Sequence, residues 1–191
     1  MFRHLTLAFA LSATLTLPVL AQDSKDKNLD IQSSLGDLHV GSDADAKKTG
    51  IPLYPGARLK TGKQDGDGDQ ANLSLFTEAF GFKLVVSSYE SDDAPAKIVD
   101  FYRDKLKKYG KVLECHTQKH GGNVEVHDDD KDKDSKESKE LKCDENSGPV
   151  TELKVGTEDH QHVVAVEPRD SGKGSNIALV YLHTRGKQGD I

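Results

Sequence analysis

One stretch of sequence decides how this chain folds: SDDAPAKIVDFYRDKLKKYG, residues 91–110. Its apolar residues recur every three or four positions, which is the spacing of one face of a helix. They are Ile98, Val99, Tyr102, Leu106 and Tyr109. Acidic and hydroxyl side chains at 91–93 favour a helix start, and Gly110 favours its end. The stretch predicts one amphipathic helix, about 94–109, whose apolar face packs on another layer.

Segments on both sides of this helix have the apolar and polar alternation of half-buried strands. Before the helix, 72–77 and 80–89 are joined by Glu78-Ala79, which predicts a hairpin. After it, strand candidates lie at 111–115, 123–127, 150–155, 161–167 and 176–183. This order of elements predicts an α+β fold, in which a mainly antiparallel sheet of about five to seven strands carries the helix on one face.

The first 21 residues are typical of an export signal. Arg3 is their only charged residue besides His4, an apolar run fills 5–20, and small side chains at Val19 and Ala21 fit cleavage by signal peptidase. The run is too short to span a membrane, and no second long apolar run follows it. We therefore expect cleavage after Ala21 and a periplasmic or extracellular protein, with no transmembrane segment in the mature chain.

Composition divides the rest of the chain into parts. Residues 22–50 are mostly polar, which predicts a flexible leader with at most one short strand. Residues 51–185 contain the helix and the strand candidates, which predicts a single domain. Within that domain, 128–146 is a low-complexity run of charges, which predicts a solvated excursion. Residues 186–191 are a polar tail.

The composition argues against several classes of function. Lys and Arg number 26 against 32 Asp and Glu, a formal net charge of −6. Nucleic acids and anionic membrane surfaces are bound by clustered basic side chains, so we expect neither as a partner. The glycine loops of nucleotide-binding proteins and the common hydrolase motifs are missing as well. We assign no catalytic residues, and the composition favours a protein that is not an enzyme.

The chain contains two cysteines, Cys115 and Cys143. In an oxidising compartment two lone cysteines pair more often than they stay free, so we expect a disulfide. The alternative is a nucleophilic Cys115 activated by His116 or His120. The disulfide is favoured because an exported free thiol tends to oxidise.

Histidines form the first candidate metal site. His160 and His162 would share one face of a strand, and His183 lies on the next strand candidate. Three imidazoles with an open fourth position are typical of catalytic Zn²⁺. A chance pair of histidines at an exposed strand start is common, so we treat this zinc site as an alternative. A second histidine-rich stretch comprises His116, His120 and His127.

The sequence DGDGD at 65–69 resembles the start of a calcium-binding loop. Its alternate carboxylates belong to Asp65, Asp67 and Asp69. Position six of the loop is then Gln70 instead of glycine, and position twelve is Phe76 instead of glutamate. Without a closing bidentate carboxylate, calcium binding should be weak, and an exposed acidic turn is the simpler interpretation.

Two motifs together resemble a group of uncharacterised exported bacterial proteins. The first is the turn Tyr54-Pro55-Gly56-Ala57, and the second is the segment IVDFYRDKL at 98–106. In that group a YPGA turn precedes a strand pair, and an FYxxxL helix ends in glycine. The resemblance covers about 51–115, with a looser match in the last two strand candidates. It implies a small α+β domain of the cell envelope and carries over no catalytic residue.

These observations favour an exported, non-enzymatic α+β domain with a binding or structural role in the cell envelope. The alternatives are a secreted metal-dependent enzyme that uses the histidine cluster and a weak calcium-binding module. The preferred interpretation needs no cofactor, and Zn²⁺ or Ca²⁺ enters only through the alternatives. The partner is not identified by the sequence.

Overall fold

Most of the chain that the structure describes is β-strand. The computed structural model describes residues 28–34, 36–42, 44–60, 70–78, 80–118, 140–169 and 172–186. The strands are β1 (Leu29–Ser33), β2 (Gly36–Gly41), β3 (Arg58–Leu59), β4 (Gln70–Phe76), β5 (Phe80–Ser91), β6 (Leu113–Thr117), β7 (Val150–Thr157), β8 (His160–Pro168) and β9 (Ser175–Gly186). The helices are α1 (Ala46–Thr49) and α2 (Pro95–Leu106), and α2 continues as a 3₁₀ turn at Lys107–Tyr109.

The strands form one sheet in the order β1-β2-β4-β5-β9-β8-β7-β6, with β3 paired to β5. Every pairing is antiparallel, which confirms the predicted sheet type. The predicted number of strands is wrong, because the described residues contain nine. With only two helices in this part of the chain, the fold is sheet-rich and not an even mixture of helix and sheet.

Helix α2 lies on one face of the sheet, as its apolar stripe predicts. Its buried residues are Ile98, Val99, Tyr102 and Leu106. They join a core that also contains Leu153, Val155, Val164, Val166, Ile177 and Leu179 from β7, β8 and β9. Fully burying an aliphatic side chain contributes about 1.5–3 kcal/mol, so this layer supplies much of the hydrophobic stabilisation.

The start of α2 differs from the sequence prediction. Ala94 occupies the N-cap position, and no side chain caps the helix there. The aspartates before it bind other partners instead: Asp93 accepts a hydrogen bond from the Tyr54 hydroxyl at 2.7 Å. Asp92 accepts two from the Arg58 guanidinium, both at 2.9 Å. These hydrogen bonds lower the pKa of both carboxyl groups and tie the preceding turn and β3 to the start of α2.

Three tyrosine hydroxyls hold the segment from α1 to the YPGA turn through its main chain. The pairs are Tyr89 with Ala46, Tyr102 with Tyr54, and Tyr109 with Gly50. In the first two, the hydroxyl accepts a main-chain N–H at 2.9 and 3.0 Å, and in the third it donates to a carbonyl. These three main-chain groups therefore keep a hydrogen-bond partner where the irregular segment packs against the core, which offsets the cost of removing them from water.

The N-terminal part of the sheet contains more regular structure than the one short strand expected within 22–50. From residue 29 onward this segment contains β1, β2 and α1, and β2 pairs with β4. Cross-strand contacts such as Leu29 opposite Val40 and Ile31 opposite Leu38 give the hairpin an apolar side. The sequence pattern underestimates these strands because they are short and half of their residues are polar.

Several predicted segments lie outside the described residues. These are the export signal at 1–21, the leader residues 22–27, the strand candidate 123–127, the excursion residues 128–139 and the tail residues 187–191. In the part that is described, no helix has the length and the apolar composition needed to cross a membrane.

Candidate functional site

The three histidines proposed as zinc ligands lie close together on one face of the sheet. Antiparallel pairing of β8 with β9 puts His160 opposite His183 and His162 opposite Tyr181. The ring centroids of His160 and His183 are 4.9 Å apart, and those of His160 and His162 are 5.9 Å apart. The predicted strand spacing therefore brings the imidazoles together, with a tyrosine among them.

His162 is the buried member of this histidine–tyrosine cluster. The Tyr109 ring stacks on it, with centroids 4.1 Å apart and planes 18° apart, and only 8% of the residue is exposed. Burial, then the nearby His160 and Lys108, lower the pKa of His162 to about 4. The imidazole is therefore neutral near pH 7, and its environment is that of a packed aromatic side chain.

The cluster does not form a metal-binding set in the structure. No three His, Cys, Asp or Glu side chains are arranged to hold a metal ion in the described ranges. Other groups beside the histidines include the Tyr181 ring and the Lys83 ammonium, which lies 5.8 Å from the centre of that ring. A nearby ammonium opposes the binding of a cation, so the zinc site gains no support from its surroundings.

The calcium and second histidine candidates fall largely outside this part of the chain. Asp65, Asp67 and Asp69 lie outside the described residues, as do His120 and His127. His116 is described, and its Nε2 lies 3.8 Å from a Glu114 carboxylate oxygen. Calcium binding through the acidic loop therefore stays a prediction.

The larger of the described cavities lies beside α1 and has a volume of about 600 Å³. Ile51, Leu53 and Tyr89 supply apolar walls, and the charged residues of the lining are Asp45, Lys47 and Lys108. The lining contains no Ser, Cys or His. The lining therefore offers no Ser–His or Cys–His pair of the kind that activates a hydroxyl or thiol nucleophile.

Cys115 and Cys143 are bonded to each other, with Cα atoms 5.5 Å apart. This pairing leaves no free thiol among the described residues, which removes the basis for a nucleophilic Cys115. The residue after the bond, Asp144, lies 3.5 Å from the Lys154 ammonium, which also lies 3.4 Å from a Glu152 oxygen. The disulfide and this ion pair hold the segment 140–146 against β6 and β7.

The face of the sheet opposite the helices carries apolar rows that each cross four or five strands. Residues that pair directly across antiparallel strands point to the same face. The pairings give three rows: Ile31, Leu38, Leu75 and Phe82; Leu29, Val40, Leu73, Leu84 and Leu182; Ala71, Val86, Val180 and Val163. We call these residues the apolar face. None of them is charged.

Exposure of the apolar face varies across the sheet. Leu29, Ile31 and Val40 are 53%, 47% and 41% exposed, whereas Leu182 is 6% exposed. Both described helices contact strands from the other side, where the core lies. The disulfide and the Asp144–Lys154 ion pair tie the segment 140–146 to β6 and β7, at the far end. The open part of the apolar face is therefore the part formed by β1, β2 and β4.

Sequence reasoning missed this face, although its signal is present in the chain. Leu73 and Leu75 alternate with polar residues, as do Leu29 and Ile31, and such alternation shows that a strand has an apolar side. It does not show whether a helix covers that side. The sequence pattern puts Tyr109 in the apolar stripe of the helix and Tyr181 in a strand, and it does not indicate that both rings contact His162.

No protein-family model, curated protein or solved structure matches this chain. The resemblance of residues 51–115 to exported bacterial proteins therefore stays a prediction from two motifs. The function has to be argued from the cluster, the cavity, the disulfide and the apolar face.

Proposed function

We propose that this chain is an exported, non-enzymatic domain that binds a partner in the cell envelope through its apolar face. The observation that carries the proposal is the exposure of Leu29, Ile31 and Val40, at 53%, 47% and 41%, at the open end of continuous apolar rows. Monomeric globular proteins rarely expose contiguous apolar patches larger than a few hundred Å², and larger patches mark interaction sites. The face therefore fits a binding role.

The disulfide supports the exported location. Disulfides persist in oxidising compartments such as the periplasm and are rare in the cytosol, where thiols are kept reduced. The bond between Cys115 and Cys143 uses both cysteines of the chain, as expected of a structural bond. The predicted cleavage after Ala21 would deliver the chain to such a compartment.

The environment of the histidine cluster favours a structural role. His162 is buried, stacked on Tyr109, and kept neutral by its surroundings, which lower its pKa to about 4. General bases work best when their pKa lies near the working pH, so this imidazole is a poor base in the neutral range. These features support the non-enzymatic part of the proposal.

A fluorescent probe of apolar surface, anilinonaphthalene sulfonate, tests the binding face. We expect the folded mature chain to enhance the probe's fluorescence, and Ile31→Asp to remove most of this enhancement because a carboxylate would interrupt the first row. Gln32→Lys is the control, since residue 32 is exposed on the opposite face of the same strand and its cross-strand partner is Asp37, so a charge there does not repel its neighbour. Equal probe fluorescence for the two variants would contradict the proposed face.

Two further measurements address export and the alternative enzyme. Intact mass after expression of the full chain in a bacterium should show a mature protein that begins at Gln22 and carries no reactive thiol. Metal analysis of untagged protein should show no stoichiometric zinc. One zinc per chain that is lost on replacing His160 and His183 would instead favour the metal-dependent enzyme.

A further inference from the structure

We propose that the cavity beside α1 binds a single-chain amphiphile whose head group is a carboxylate, the chemistry of a free fatty acid. This inference goes beyond the proposed function, because the cavity lies on the helix side of the sheet and the apolar face lies on the other. The cavity volume of about 600 Å³ is within the range of about 300–1,000 Å³ that is typical of small-ligand sites. Its lining comes from residues 45–53, from Tyr89 of β5 and from Lys108 in the turn that ends α2.

The apolar part of the lining joins the core to an exposed leucine. Ala46, Ile51 and Tyr89 are buried members of the hydrophobic core. Leu53 also lines the cavity, but it is 42% exposed. An alkyl chain in this cavity would cover Leu53 and remove its own surface from water at the same time. The lining therefore favours a ligand with an apolar body.

The charged part of the lining favours a head group with a single negative charge. Lys47 and Lys108 carry two positive charges and Asp45 carries one negative charge, which leaves the lining with a net charge of +1. The Asp45 carboxylate is engaged as the N-cap of α1, where it accepts the main-chain N–H of Lys48 at 3.0 Å. One ligand carboxylate would neutralise this lining, whereas a phosphate monoester, with a charge of about −1.5 to −2, would leave a negative excess.

The two lysines of the lining are available to such a head group. In the ranges that the structure describes, neither ammonium has a carboxylate oxygen at ion-pair distance, whereas the adjacent Lys107 lies 3.4 Å from an Asp104 oxygen. The Lys108 ammonium lies 4.6 Å from the centre of the Tyr109 ring, and this cation–π contact restrains it. Because the whole chain has a formal net charge of −6, two unpaired lysines at one apolar cavity are a local feature that attracts an anion.

Tyrosine hydroxyls fix the walls of the cavity. Tyr89 accepts the main-chain N–H of Ala46 at 2.9 Å, and Tyr109 donates to the carbonyl of Gly50. The first bond ties α1 to β5, and the second ties the end of α1 to the turn that carries Lys108. A site whose walls are already held loses less conformational freedom when a ligand binds.

Isothermal titration calorimetry of the mature, oxidised chain with decanoate tests the inference. We expect one decanoate to bind per chain. The affinity should rise about fourfold for each methylene from octanoate to decanoate, because each added group is buried in the apolar part of the cavity. Decanol has the same chain without the charge and should bind about two- to fivefold more weakly, which is the range for exposed ion pairs.

Substitutions in the lining separate the contributions of charge and apolar contact. Lys47→Gln and Lys108→Gln should each raise the dissociation constant of decanoate about two- to fivefold and leave that of decanol unchanged. Leu53→Asp should raise it about tenfold or more, because a carboxylate would replace apolar lining and repel the ligand. Lys48→Gln is the matched control, since Lys48 is an exposed lysine of the same helix that does not line the cavity. Thermal unfolding verifies that each variant is folded.

Ile31→Asp distinguishes this cavity from the apolar face and should bind decanoate as the wild type does. Decanoate binding that is lost in Ile31→Asp and kept in both lysine variants would place the ligand on the apolar face, which overturns the inference and supports the proposed function. Equal affinities for decanol and decanoate, or no saturable binding of decanoate, would overturn the inference and leave the proposed function standing. Anilinonaphthalene sulfonate is itself an apolar anion, so any enhancement that remains in Ile31→Asp should be lost when Lys47 and Lys108 are also replaced by glutamine.

Discussion

Acid should destabilise this protein through His162. The ordinary histidine pKa of 6.5 applies to the unfolded chain, whereas burial, His160 and Lys108 lower the pKa of His162 in the folded state to about 4. Between these two values the unfolded state binds a proton that the folded state does not. The free energy of unfolding therefore falls as the pH drops through this range and shows no contribution from His162 above it.

The magnitude follows from the two pKa values and the position of the ring. The gap between 6.5 and about 4 corresponds to about 3.4 kcal/mol, since one pKa unit is about 1.4 kcal/mol. The neighbouring His160 is exposed, so water reaches the edge of the cluster and screens part of this cost. We expect a loss of about 1–2 kcal/mol between pH 6.5 and pH 4 that His162 alone explains.

Denaturant unfolding of wild-type protein and of His162→Gln across this pH range measures the effect. The substitution removes the stacking on Tyr109, so the variant should be less stable near neutral pH. On acidification its deficit should shrink by about 1–2 kcal/mol, because glutamine cannot take up the proton. Lys108→Gln should reduce the pH dependence of the wild type by a smaller amount. A deficit that stays constant from above pH 6.5 to pH 4 would refute the reasoning.

Three further predictions concern stability. Loss of the disulfide should lower the free energy of unfolding by about 3–4 kcal/mol in Cys115→Ser, in Cys143→Ser and in the double variant. Each variant opens the same loop, whose ends are 28 residues apart in sequence. Unequal losses for the two single variants would indicate another role for one thiol. Tyr102→Asp should unfold the domain, since residue 102 is fully buried and an unpaired buried charge costs about 3–5 kcal/mol. Lys107→Asp, at a side chain 67% exposed, should shift the melting temperature little, and equal shifts for the two would contradict the assigned helix face. Gly148→Ala should destabilise the fold by about 1–3 kcal/mol, because the φ angle of residue 148 is +155° and a Cβ there would lie 2.0 Å from the main-chain oxygen of Thr117 in β6. A melting temperature equal to that of the wild type would contradict this geometry.

Local pattern was sufficient where one element decides its own structure. The stripe of Ile98, Tyr102 and Leu106 predicts both the helix and the side that packs, because helical spacing leaves one apolar face. The hairpin of β4 and β5 is predicted for the same reason, since its strands are neighbours in sequence. Capping was not predictable in this way, because Asp92 and Asp93 are drawn to Arg58 and Tyr54, which lie far away in the chain.

Non-local pairing explains what the sequence pattern missed. Strand β5 has apolar residues on both of its sides. Val85 is fully buried on the side that faces the helices, and Leu84 belongs to the apolar face. Its own pattern therefore does not reveal which side a helix covers. The same applies to the histidine cluster: the spacing of His160 and His162 predicts a shared face, but Tyr109 reaches it only through the path of α2.

The tyrosine hydroxyls that hold residues 46–54 bind main-chain atoms only, and this has an evolutionary consequence. Every residue type except proline offers the same amide and carbonyl groups, so these three contacts place little demand on the side chains of the segment. Exposed positions that do not line the cavity, such as Lys48, should accept mutations readily over generations, whereas loss of a distant tyrosine ring should be strongly selected against. Substitutions should therefore accumulate at these exposed positions of the segment, whereas Tyr89, Tyr102 and Tyr109 should change slowly.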